Sequence, residues 1–138
     1  LDKLKRTVRS GFAEVFIREE GIVQSRIFPG STIDIAEAEE YLAMVKYLTK
    51  ASEHATVIDL SGVRKITPAA RSFLQSEPVR SGKTLAVGMV TSSLLSRIMG
   101  YFFLRLNRPA CPVRMFGDPT EAYAWVKNEY KKALRKKN

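Results

Sequence analysis

Two periods of apolar residues divide this chain. Short β-branched runs alternate with stretches in which apolar positions return every third or fourth residue, a pattern of strands and helices in turn. Phe12 to Arg18 and Gly21 to Phe28 are strand-like runs around Glu19-Glu20-Gly21, a hairpin with glycine at its turn, and Pro29-Gly30-Ser31 ends the second run. From Asp34 the period changes. Ile35, Ala38, Leu42, Val45 and Thr49 recur at helical spacing with Tyr41, Met44 and Leu48 beside them, while Glu39, Glu40, Lys46 and Lys50 take the opposite arc. Asp34, with Glu37 three positions on, is a capping box that starts this helix.

Ala55 to Leu60 is apolar on both faces until Asp59, which suits a central strand covered by helices on both sides. Thr67 follows as an N-cap with Pro68 at the first helical position. That helix is predicted to run to about Ser76, with Glu77 to Lys83 as a loop. Thr84 to Val90 is another buried strand, and Thr91-Ser92-Ser93 opens a helix reaching about Leu106, stopped by Asn107, Arg108 and Pro109. Pro112 to Phe116 is a short strand, and Asp118-Pro119-Thr120-Glu121 caps a last helix running through Trp125 to about Arg135. The order β-β-α-β-α-β-α-β-α implies βαβ crossovers after the hairpin. The predicted class is α/β, a mixed, mainly parallel sheet packed with about four helices. Residues 1–10 read as a lead-in, poorly ordered or helical, and 11–138 as a single domain with a basic C-terminal helix or tail.

Composition supports a globular chain: 138 residues, 45% apolar and 27% charged. No segment approaches the ~18 uninterrupted apolar residues of a membrane span, and Leu1-Asp2-Lys3-Leu4-Lys5-Arg6 carries no apolar signal-peptide core. The one cysteine, Cys111, excludes an internal disulfide, and a reducing, cytoplasmic setting is expected. Net charge is +9, but it sits at the ends. The first nine residues carry four basic and one acidic residue, and 127–138 six basic and one acidic, which leaves the body nearly neutral. Nucleic-acid binding needs a basic face on the fold itself, so nucleic acid is not the expected partner. Lys127, Lys131, Lys132, Arg135, Lys136 and Lys137 read as a solvated tail, with peripheral membrane contact as the alternative.

The element order, with Val57-Ile58-Asp59-Leu60-Ser61-Gly62-Val63-Arg64-Lys65-Ile66-Thr67-Pro68-Ala69-Ala70-Arg71 at its centre, resembles the SpoIIAA-like fold of STAS domains, the anti-sigma-factor-antagonist group. In that family a strand ending in Asp-Leu-Ser-Gly precedes Ile-Asp-Ser-Ser-Gly at a helix start, where a serine is the phosphoacceptor of a partner kinase. Here Ile66 matches the isoleucine, Thr67 falls on the aspartate, Pro68 on the first serine and Ala69 on the phosphoacceptor. Alanine has no oxygen to phosphorylate, so the resemblance implies the fold and not the phospho-switch. The block Ser96-Arg97-Ile98-Met99-Gly100-Tyr101-Phe102-Phe103-Leu104-Arg105-Leu106-Asn107-Arg108-Pro109, continued by Pro112-Val113-Arg114-Met115-Phe116, is similar to bacterial STAS/SEC14-like proteins of unknown function. That likeness runs from about Gly21 to Val126 and implies no activity. The fold signature, the missing nucleophile set and the apolar excess of the helix over 91–106 together favour a non-catalytic protein-interaction or regulatory module.

In open α/β sheets ligands gather where strands end and helices begin. Asp59, Ser61, Thr67, Thr91, Ser92 and Ser93 are expected near that edge, with Arg64, Arg71 and Arg97 in reach, a set able to hold a phosphate or carboxylate. A small-ligand or anion sensor is therefore the alternative function. The plainer reading is that the hydroxyls cap helices, Asp59 bonds loop amides and the arginines stay solvated. Leu94, Leu95, Ile98, Met99, Phe102, Phe103 and Leu106 sweep one arc of their helix, and Tyr101 and Leu104 fall outside it, flanking Arg97. Arg97, Tyr101 and Leu104 are thus interface candidates, for self-association, a protein partner or an apolar ligand. His54 reads as an exposed loop histidine, and Cys111 has no second cysteine to share a zinc ion. No catalytic residue, metal site or cofactor is expected, and an enzyme is not the favoured reading.

Overall fold

The computed structural model describes residues 6–93 and 109–137. Of the helix expected to open at Thr91-Ser92-Ser93 and reach about Leu106, everything past Ser93, with Arg97, Tyr101 and Leu104, lies outside them. Strands β1 (Thr7–Arg9), β2 (Ala13–Glu19) and β3 (Ile22–Ile27) come first, then β4 (Thr32–Ile33) and helix α1 (Ile35–Thr49). Next come β5 (His54–Asp59), β6 (Lys65–Ile66), α2 (Pro68–Ser81), β7 (Thr84–Val90), β8 (Val113–Phe116) and α3 (Pro119–Lys137). Six strands form one sheet in the order β1-β2-β3-β5-β7-β8. The hairpin pairs are antiparallel and the three others parallel. The mixed, mainly parallel sheet is as predicted, and β5 and β7 are adjacent interior strands.

The alternation within each strand divides the core. Ala13, Val15 and Ile17 of β2 and Val23 and Ile27 of β3 pack with Ala38, Tyr41, Met44 and Val45 of α1 and Ala70 of α2. Ile22, Ala55, Val57, Ala86, Val90 and Phe116 pack on the other face, with Ala122 and Val126 of α3. Gly88 permits the close approach of α3, since a Cβ there would lie 2.7 Å from Val126 Cγ2. The hairpin turns at Glu20-Gly21, where Gly21 has φ +81° and Tyr130 of α3 lies against it.

Several local expectations change. Within 1–10, Thr7–Arg9 forms an edge strand, because Ser10 Oγ accepts from Phe12 and Ala13 N–H (3.3 and 3.2 Å) and folds the chain back onto β2. Helix α2 does not stop near Ser76 but runs through Pro78 to Ser81. Proline removes a helical N–H, which is why the sequence pointed to a stop. Side chains steady the disturbed turn: Ser76 Oγ and Arg80 Nη2 donate to the Phe73 carbonyl at 2.9 and 2.8 Å, and Gly82 at φ +65° ends the helix. Of the two forms expected for the basic C-terminal residues, helix or tail, the structure has the helix. They lie on α3 through Lys137, where Lys127 pairs with Glu19 (3.3 Å), Lys132 with Glu129 (3.6 Å) and Lys137 with Glu53.

Candidate functional site: the platform at the strand ends

Strand β5 stops at Asp59, whose Oδ1 accepts from Ser61 N–H at 2.9 Å and bends the chain into the Leu60-Ser61-Gly62 loop. Leu60 N–H donates to the Val90 carbonyl at 2.7 Å, so the loop is pinned to the end of β7. Gly62 carbonyl accepts from Gly30 N–H at 2.8 Å, and a Cβ on Gly62 would lie 2.8 Å from Pro29 Cα. Only glycine lets the two loops meet so closely. Arg64 N–H then bonds the Ser31 carbonyl at 2.9 Å, and β4 and β6 pair in parallel, Thr32 opposite Lys65 and Ile33 opposite Ile66. This two-stranded sheet was not legible in the pattern, because its four residues are too few to show a period.

The pairing delivers both helix starts to one place. Thr67 Oγ1 accepts from Ala70 N–H at 3.1 Å, the N-cap of α2, and donates to Asp34 Oδ1 at 2.9 Å. The same Asp34 oxygen accepts from Ile35 N–H at 2.9 Å, and Glu37 Oε1 accepts from Asp34 N–H at 2.9 Å, completing the predicted capping box of α1. The Thr67 hydroxyl, then the Ile35 amide, hold the Asp34 carboxyl below its ordinary range, and the charge of Lys65 adds to this. A carboxylate of the protein thus serves the two adjoining caps, a role given at the sequence level to Asp34 for α1 alone.

The remaining candidates are distributed around this core. Ser61, Arg64, Arg71, Ser92 and Ser93 are exposed, as are Pro68 and Ala69 at the first turn of α2. Thr91 is buried, its N–H on the Phe116 carbonyl at 3.0 Å, and its Oγ1 accepts from Ser93 N–H at 3.4 Å. Asp59 and Ser61 share one turn, Thr67 joins Asp34, and Thr91 follows the Val90 that pairs with Asp59. Arg97 lies outside the described residues. The only histidine and the only cysteine are elsewhere. His54 starts β5 at the far end of the sheet and is buried, not an exposed loop residue, because it opens the strand's inward-facing row. Cys111 precedes β8, where burial and the charge of Glu77 push its thiol up to about 11. Among the described residues, no three His, Cys, Asp or Glu side chains stand together as a metal site would need.

An α/β sheet of this order, with two of the described helices on one face and one on the other, defines a SpoIIAA-like domain. The structure is similar to a crystal structure of an uncharacterized protein of the DUF3478 family with a SpoIIAA-like fold, from Shewanella loihica PV-4. The TM-score is 0.63 at 13% sequence identity, over 86% of this chain and 98% of that one. The chain belongs to a domain family of unknown function, DUF7793, whose family model matches residues 16–130. No curated protein matches it. No described helix is long and apolar enough to cross a membrane.

Proposed function

We propose that this chain is a non-catalytic, STAS-like interaction module that binds a protein partner through the platform at the strand ends. The observation that carries this reading is the bond between Thr67 and Asp34. It fixes the starts of α1 and α2 to each other, so the exposed first turn of α2 is presented on a rigid base. Ala69 occupies the position that the STAS resemblance gives to the phosphoacceptor, so docking there is constitutive and not switched by phosphate. The interaction is tested by quantitative co-purification from the native cell with the full chain, comparing Ala69→Glu and Arg64→Glu with Tyr47→Lys. Tyr47 is exposed on α1, 76% accessible, away from the platform. A partner lost with the first two variants and kept with the third supports the module. Equal recovery with all three excludes the platform.

A small-anion sensor at the same edge is favoured by one feature, the exposure of Ser61, Ser92, Ser93, Arg64 and Arg71 around the strand ends. Against it, the Asp34 carboxylate already bonds the Thr67 hydroxyl that an anion would use. Thermal-shift titration with inorganic phosphate, nucleotides and carboxylates decides this. A shift that disappears in the Thr67→Val, Ser92→Ala double variant establishes the sensor, and no shift removes it.

A further inference from the structure

At the end of the sheet opposite the platform, three polar side chains from three elements meet, two of them buried. His54 opens β5 and is 5% exposed, Thr84 opens β7 and is 7% exposed, and half-buried Glu77 reaches them from α2. A bulge makes this possible. His54 pairs with Thr84 but Thr56 with Val87, so one extra residue in β7 turns Thr84 to the side of His54 and α2.

With Glu77 ionised, hydrogen-bond accounting here has one complete solution. His54 Nδ1 lies 2.9 Å from the Ser52 carbonyl, which can only accept, so this nitrogen carries a proton. Nε2 lies 3.3 Å from Thr84 Oγ1, and that hydroxyl lies 2.8 and 3.1 Å from the two Glu77 oxygens. Ser81 Oγ donates to Glu77 Oε1 as well, at 2.7 Å. A threonine hydroxyl has one proton. If the carboxylate takes it, Thr84 must accept from an Nε2–H, and the ring bears both protons. A neutral ring protonated at Nδ1 competes with Glu77 for that same proton, and one bond is lost. The other neutral tautomer turns a lone pair toward the Ser52 carbonyl.

We propose that His54, Thr84 and Glu77 form a proton-sensitive latch tying the C-terminal half of α2 to the first residues of β5 and β7. With Glu77 ionised, it is closed while the imidazole carries both protons and one hydrogen bond short when Nε2 has lost its own. The latch acts where the helix is weakest, since Pro78 follows Glu77 directly. Other groups face it from each side. The Lys83 carbonyl accepts His54 N–H at 2.9 Å, Glu53 beside His54 is paired with Lys137 of α3, and the Glu77 charge reaches Cys111 before β8 and the buried Tyr41 of α1. Arg80 is turned away, onto Ser76 and the Phe73 carbonyl. The latch therefore opens when Nε2 gives up its proton beside an ionised Glu77.

Nuclear magnetic resonance on the full chain tests this, because a single histidine makes the ring ¹⁵N signals unambiguous. The expected result is a doubly protonated ring on the acid side. Hydrogen-exchange protection factors at Gly82 and Lys83, whose amides bond the Pro78 carbonyl and the Ser81 hydroxyl, should be several-fold higher there than on the alkaline side. Thr84→Val should abolish the difference and Thr84→Ser should keep it. A ring with one protonated nitrogen throughout, equal protection on both sides, or a difference that survives Thr84→Val overturns the latch. Should Thr84→Val fail to fold, Glu77→Gln takes its place, and a difference retained in that variant is equally fatal.

Discussion

Thr67 Oγ1 donates to Asp34 Oδ1 at 2.9 Å across 33 residues of chain, and through that one bond the N-caps of α1 and α2 share a carboxylate. Each cap satisfies amides that a helix start leaves without partners. Their junction makes the first turn of α2 a rigid feature of the surface.

Replacing Thr67 with valine removes both the cap on Ala70 and the bond to Asp34 at constant shape. Loss of an N-cap costs about 1 kcal/mol. Urea unfolding of Thr67→Val should show a lower midpoint with an unchanged slope, the mark of lost stability in an intact fold.

The sign of the acid response follows from Asp34. Its folded-state carboxyl titrates below the ordinary range, chiefly because of the Thr67 hydroxyl. Such a group contributes its stabilisation fully above the unfolded-state value and loses it as pH falls through the folded-state value. Glu19, lowered first by the Tyr123 hydroxyl and then by Lys127, acts in the same direction. Urea midpoints measured down an acid series should fall, and fall less steeply in Thr67→Val than in the native chain.

Beneath α1, Ser25 Oγ and Tyr41 Oη form a buried hydrogen bond of 2.8 Å. Ser25→Ala leaves the tyrosine hydroxyl unpaired in the core, at a cost of about 1–3 kcal/mol. The double variant Ser25→Ala, Tyr41→Phe removes both polar atoms and should be more stable than the single one. A double-mutant cycle in urea measures the difference.

On the other face, Gly88→Ala places a methyl group 2.7 Å from Val126 Cγ2. Overpacking of this kind costs about 1–3 kcal/mol. Adding Val126→Ala makes room and should restore part of the loss, visible as a partial recovery of the thermal midpoint over Gly88→Ala alone.

Much of this architecture was legible because its determinants are local. The Asp34–Glu37 box, Pro68 after Thr67 and the glycine at the hairpin turn are decided within four residues of chain, and the structure shows each where the pattern put it. The apolar runs ending at Asp59 and Val90 announced buried parallel strands, since only burial on both faces favours so few polar residues. Strands β1, β4 and β6 left no such mark. Two or three residues show no period, and their partners are supplied by segments elsewhere in the chain.

For the candidate site, the residue types were readable and their neighbours were not. Asp59 bonding its own loop amide is a local matter, whereas Asp34 meeting Thr67 depends on the pairing of β4 with β6. His54 shows the same division. Beside Glu53 and before a strand it has the look of a surface residue; the sheet buries it as the first residue of β5, and the bulge in β7, with a helix that continues past Pro78, sets Thr84 and Glu77 against it.

By itself, then, the order of residues determined the longer elements, the caps that start their helices and the class of fold, because hydrophobic period and capping chemistry act over a few bonds. The tertiary structure alone decided which caps share a proton, which polar groups leave water and where Lys127 and Lys137 of α3 find acidic partners. Those outcomes depend on distances between segments tens of residues apart, and such distances exist only once the sheet has formed.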